Sequence, residues 1–127
     1  MARQKSAQPT EVELQILQIL WELGPSPVRE IHKRLQAKRG TNYSTTVKML
    51  SVMLQKKLVT RDERVQPYVY RAAVTRQKAG KLMLRNLIDK VYEGSAMSLV
   101  LQALSTSKPS KEELEEVRRL LDQMEGR

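Results

Sequence analysis

The sequence predicts a mainly α fold with one small β-hairpin: a winged helix-turn-helix over residues 1–75, followed by a three-helix unit over residues 76–127. Three observations predict it. Residues 42–59, NYSTTVKMLSVMLQKKLV, place apolar and polar side chains on opposite arcs of one helix. Directly after them the period changes from helical to alternating, as a hairpin requires. Beyond residue 75 the chain returns to helical stripes whose apolar surface is more than so short a unit can hide alone.

The charge balance narrows the partners. With 127 residues, a formal net charge of +9 and a pI near 10.0, the chain suits a polyanion, whether nucleic acid or an anionic membrane surface. Residues 1–75 hold 13 Lys and Arg against 6 Asp and Glu, net +7; residues 76–127 hold 10 against 8, net +2. The basic charge therefore travels with the helix-turn-helix. Cysteine is absent, which excludes disulfides and thiolate metal sites, and no apolar run approaches a membrane span. A cytoplasmic protein is expected. Aromatics amount to Trp21 and four tyrosines, too few for platforms that stack single-stranded bases.

In chain order, the polar and basic residues 1–8 read as a flexible arm; its Arg3 and Lys5 are chemically able to touch phosphate, but disorder without function is the preferred reading. Thr10 and Glu13 form a capping box that opens the first helix; Leu14, Leu17, Leu20 and Trp21 mark its buried side, and Gly24 and Pro25 stop it. Ser26 as N-cap and Pro27 at the first helical position open the second helix, with Val28, Ile31 and Leu35 as its apolar positions. His32, the one histidine, reads as a surface residue, since no second ligand or acidic cluster accompanies it. Gly40 and Asn42 supply the turn, and Ser44 is the expected N-cap of the third helix.

On that third helix Val47, Met49, Leu50, Met53, Leu54 and Leu58 fall on one arc. The opposite arc holds Ser44, Thr45, Lys48, Ser51, Val52, Gln55 and Lys56: hydroxyls, an amide, two cations, one aliphatic and no acid. Such a face can donate to phosphates and base edges without repelling a polyanion, which makes it a candidate DNA recognition helix. The plain alternative is an amphipathic helix with a solvated face. Two strands, residues 58–61 and 68–72, then make a wing, whose Arg61 and Arg64 are placed to reach flanking phosphates while Asp62 and Glu63 oppose that role.

The last three helices carry Leu82, Leu87 and Val91, then Leu99, Val100 and Leu104, then Leu114, Val117 and Leu121. Ser110 and Glu113 form a second capping box. These stripes predict dimerisation through residues 76–127; packing back on the winged unit as a monomer is the alternative. No nucleophile with a paired base, phosphate-binding glycine loop or metal cluster can be assembled, so an enzyme is not expected and no cofactor is assigned. The cations do not gather on one face of an end helix, which argues against a membrane partner.

The chain resembles the penicillinase repressor family (the BlaI, MecI and CopY type) from about Thr10 to Met124. The resemblance rests on ELQILQILW from Glu13 to Trp21, VREI at Val28, YSTTV at Tyr43, the wing RDER at Arg61 with VYRA ending at Ala72, and GSAMSLVLQAL from Gly94 to Leu104. It implies a bacterial winged-helix transcriptional repressor that binds a palindromic, two-fold-symmetric operator in double-stranded DNA as a homodimer. It also brings in a sensor protease as a candidate partner. Members of the penicillinase type are cut at an Asn-Phe bond where this chain has Gln102 and Ala103. Copper-responsive members carry a cysteine-rich tail, which a chain without cysteine lacks. Lys57 stands where a glycine is common after the third helix. A protein-interaction adaptor without sequence-specific DNA binding remains the rival reading.

Overall fold

The computed structural model describes residues 8–127; the arm carrying Arg3 and Lys5 lies outside them. The elements run α1 (Glu11–Leu23), β1 (Ser26–Pro27), α2 (Val28–Arg39), α3 (Tyr43–Gln55), β2 (Val59–Asp62), β3 (Val69–Ala72), α4 (Arg76–Val91), α5 (Ala96–Ser107) and α6 (Lys111–Met124). The fold is mostly helical with a small antiparallel sheet, a winged helix-turn-helix followed by helices. The chain forms two compact units, the first ending at Leu84 and the second spanning Arg85–Arg127.

The first unit closes around one core. Ile16, Leu17, Ile19 and Leu20 of α1 meet Ile31 and Leu35 of α2, Leu50 and Met53 of α3, and Leu58, Val59 and Tyr70 around the sheet. The capping box at Thr10 forms as its sequence predicts: Glu13 N–H donates to Thr10 Oγ1 at 3.2 Å, and Thr10 N–H donates to Glu13 Oε1 at 2.9 Å. Trp21 Nε1 donates to the carbonyl of Val74 at 3.0 Å, tying α1 to the chain just before α4.

The wing is a three-stranded sheet in the order β1-β3-β2, not a bare hairpin. Ser26 pairs with Tyr70 and Pro27 with Val69, which corrects the expected N-cap role of Ser26. Its hydroxyl donates to the Gly24 carbonyl at 2.8 Å, and Pro27 occupies the N-cap position with no side-chain cap. Backbone pairing with β3 holds this segment extended until Val28. At the start of α3 it is Asn42, and not Ser44, that caps: its Oδ1 accepts from Thr45 N–H at 2.9 Å and from Ser44 Oγ at 3.0 Å.

In the second unit Ser110 and Glu113 make the predicted capping box, and Ser95 caps α5 through Ser98 N–H at 3.1 Å. Neither α5 nor α6 has a single buried residue. Met97, Val100, Leu101, Leu120, Leu121 and Met124 are exposed, and so are Leu87 and Val91 of α4.

Candidate nucleic-acid interface

The open side of α3 is defined by what its other side buries. Thr46, Leu50 and Met53 lie in the core, with Met49 and Leu54 packed against it. This stripe sits slightly around the helix from the one expected. Val47, predicted inward, is 38% exposed, and Thr46 takes the buried place. Thr46 can do so because its hydroxyl is satisfied: His32 Nδ1 lies 2.8 Å from Thr46 Oγ1, which also reaches the Asn42 carbonyl at 3.4 Å. His32 is thus half-buried and bonded between α2 and α3, not a free surface residue as expected. Its ring also meets Tyr43 edge-on at 5.3 Å, so the two helices of the turn are joined by hydrogen bond and ring contact.

Ser44, Thr45, Val47, Lys48, Ser51 and Gln55 remain exposed and Val52 is half-exposed. No acidic residue lies anywhere on α3. Lys48 carries its charge on this face and, among the described residues, no carboxylate lies within ion-pair distance of it.

Lys56 leaves the face assigned to it. Its ammonium donates to Glu13 Oε1 at 2.6 Å and to the Gln8 carbonyl at 3.4 Å, and its side chain is 7% exposed. A lysine's four-carbon stem at the edge of an amphipathic arc can turn either way, and here a nearly fully buried carboxylate draws it inward. Just beyond, Lys57 adopts φ 63°, the left-handed conformation that favours glycine. Its N–H bonds to Leu54 O at 3.1 Å and the N–H of Leu58 to Met53 O at 2.9 Å, the paired closure of a Schellman motif. The helix end therefore keeps glycine-type geometry with a lysine in it.

The wing cations stand in defined company. Arg61 donates to Glu63 through Nε at 2.9 Å and to the Tyr70 hydroxyl at 3.4 Å, and lies over the Tyr68 ring at 5.0 Å. The Tyr70 and Glu63 bonds raise its pKa further. Arg64 grips Asp62 through Nε at 3.0 Å and Nη2 at 3.1 Å, and its backbone N–H adds a third bond at 3.0 Å. These bonds from Arg64, first from its side chain and then from its backbone, hold the Asp62 carboxyl down to about 2. Between the starts of α2 and α3 and the bend of the wing opens a cavity of about 480 Å³, walled by Pro27, Arg29, Tyr43, Pro67, Tyr68 and Tyr70.

Sequence reasoning missed Tyr43, Thr46 and β1. Tyr43 and Thr46 sit inside the YSTTV segment, so the signal was present, but which hydroxyl turns inward depends on His32 opposite. Among the described residues no group of three metal-binding side chains assembles, and no helix is long and apolar enough to cross a membrane.

The sequence profile of the penicillinase repressor family matches residues 9–123. The chain belongs to the penicillinase repressor family. Its likeness to individual members is spread over the whole length. The methicillin resistance regulatory protein MecI of Mammaliicoccus sciuri is 24% identical over 118 residues, covering 93% of this chain and 96% of that protein. The penicillinase repressor of Bacillus licheniformis is 21% identical over 123 residues, covering 97% and 96%. A MarR family protein from Bacillus stearothermophilus superposes with a TM-score of 0.45 at 25% identity, over 92% of this chain and 73% of that one, too loosely to add to the fold already described. Penicillinase repressor family members are transcriptional regulators, and the chain is a regulator of that kind, not an enzyme.

Proposed function

We propose that this penicillinase repressor family member binds a two-fold-symmetric operator in double-stranded DNA as a homodimer and represses by occluding polymerase. One observation carries the reading: α3 leaves Ser44, Thr45, Lys48, Ser51, Val52 and Gln55 on an acid-free side while its other side is locked into the core. Thr45 and Lys48, near the helix N-terminus, are assigned to base edges, Val52 to a thymine methyl, and Gln55 to adenine or phosphate. Arg61 and Arg64 lie on the wing, where flanking phosphates would pass. Lys56 is withdrawn from this set by its pairing with Glu13.

The homodimer is supported by the second unit. No residue of α5 or α6 is fully buried within one chain: Leu99, Leu104, Leu114 and Val117 are half-buried, while Leu87, Val91, Val100 and Leu121 stay open to solvent, as a face awaiting a second copy would. Leu82, Leu99, Leu104, Leu114 and Val117 belong to the same proposed interface. Two recognition helices would then enter successive major grooves on one face of the duplex. A cytoplasmic location fits this role. A sensor protease as partner is carried by family resemblance alone, and Gln102 and Ala103 replace the pair that penicillinase-type members present to it.

Footprinting on the region upstream of the gene tests the proposal. It is expected to show two protected half-sites about one helical turn apart, lost steeply with added salt. Absence of protection on any genomic fragment, with the folded protein in excess, would leave the adaptor reading standing.

A further inference from the structure

The wing has two unlike faces. Arg61 lies opposite Tyr70 in the β2–β3 register, on the side that faces the core. Thr60 lies opposite Arg71, so Thr60, Asp62 and Arg71 share the outer side by strand alternation. With Arg64 just past the strand end they border an open concavity of about 330 Å³, which Arg61 and Glu63, paired with each other, also line. Arg64 is 89% exposed, yet its guanidinium is engaged by both oxygens of Asp62, a side chain only 16% exposed. A two-pronged grip by a planar guanidinium is the same bonding it offers a phosphate.

We propose that the outer face of the wing is a seat for a DNA backbone phosphate, built from Arg64, Arg71 and Thr60, and that Asp62 occupies it from within the chain. This rests on the reading that the winged unit binds duplex DNA. Asp62 stands in for the phosphate and so restrains sequence-independent binding. Phosphate contacts carry almost all of a regulator's affinity for random DNA, and random sites vastly outnumber operators. Silencing one cation therefore reduces the fraction of protein lost to the genome. The pair is solvated, so the restraint is modest, on the scale of an exposed ion pair.

The test uses the full chain and a fluorescently labelled duplex of random sequence, with anisotropy titrations from 50 to 200 mM salt. Asp62→Asn keeps a side-chain oxygen for the Arg64 N–H, so the turn stays closed while the charge is lost. It is expected to tighten random-duplex binding about two- to five-fold. Its log–log salt slope should steepen by about 0.9, one more phosphate. In the Arg64→Gln background Asp62→Asn should lose most of its gain. A gain of undiminished size there means a general charge effect and overturns the proposal, as does Asp62→Asn binding like the wild type. If neither the wild type nor any variant binds duplex, the DNA reading falls and this inference with it; wild-type binding unaltered by Asp62→Asn removes the inference alone.

Discussion

Lys56, at the C-terminal end of the recognition helix, donates to Glu13, in the first turn of α1, across 2.6 Å with both side chains almost wholly withdrawn from water. The cation sits at a helix C-terminus and the anion at a helix N-terminus, so both helix dipoles favour the pair. The same Glu13 oxygen accepts the Thr10 N–H, which joins the start of α1 to the end of α3 through one carboxylate. Removing one partner leaves the other's charge buried without a counter-ion. Lys56→Met is expected to destabilise the protein by about 3–5 kcal/mol, read from urea unfolding midpoints. Adding Glu13→Leu should recover much of that loss; a single variant as stable as wild type would show that the pair contributes little.

Lys48 separates base reading from charge. If it reads a base edge, Lys48→Ala costs about 1–3 kcal/mol of operator affinity and removes sequence preference with it. Competition titrations with operator and random duplexes give the result directly. Equal weakening on both would place Lys48 on a phosphate.

Lys57→Gly should stabilise the helix end. A non-glycine residue at φ 63° costs about 1–2 kcal/mol, against about 0.5–1 kcal/mol for glycine's added chain entropy, so a net gain of up to about 1.5 kcal/mol is expected. The thermal midpoint should then rise by a few degrees with DNA affinity unchanged. A drop in midpoint would mean that the lysine side chain stabilises more than its backbone costs.

Asp62 sets an acid-side dependence. Its folded pKa, about 2, lies below the ordinary 3.8, so the Arg64 pair stabilises the wing fully above the ordinary value, and that contribution is lost as pH falls through about 2. A carboxyl titration followed by NMR should show Asp62 still ionised at pH 3. Asp62→Asn should lack the part of the stability change that falls between pH 4 and 2. A carboxyl that titrates near its ordinary value would contradict the bidentate geometry.

Val91, 61% exposed, and Leu121 probe the proposed interface. Since neither is buried in the single chain, Val91→Glu with Leu121→Glu should leave the helices formed but give monomers in sedimentation equilibrium. Operator affinity should fall with the loss of the paired site, while half-site binding survives. Dimers that persist unchanged would move the interface elsewhere.

Helix caps, turns and strand alternation depend on residues a few positions apart, and so they could be read from the chain. The Thr10 and Ser110 capping boxes, the wing after α3 and the returning helical stripes are all of this kind. The acid-free face of α3 was legible for the same reason, since period and residue type suffice to draw it. Tertiary contact decided the rest. β1 has two residues, too few to show a period, and exists because β3 lies alongside it. His32 reads as a surface residue, and Thr46 falls on neither arc of its helix, until α2 and α3 bring them within 2.8 Å. Lys56 lies at the border of two arcs, where its own helix cannot say which way a long side chain turns. Glu13, 43 residues away, turns it inward, because a carboxylate buried beside it binds an ammonium more strongly than water-exposed neighbours can.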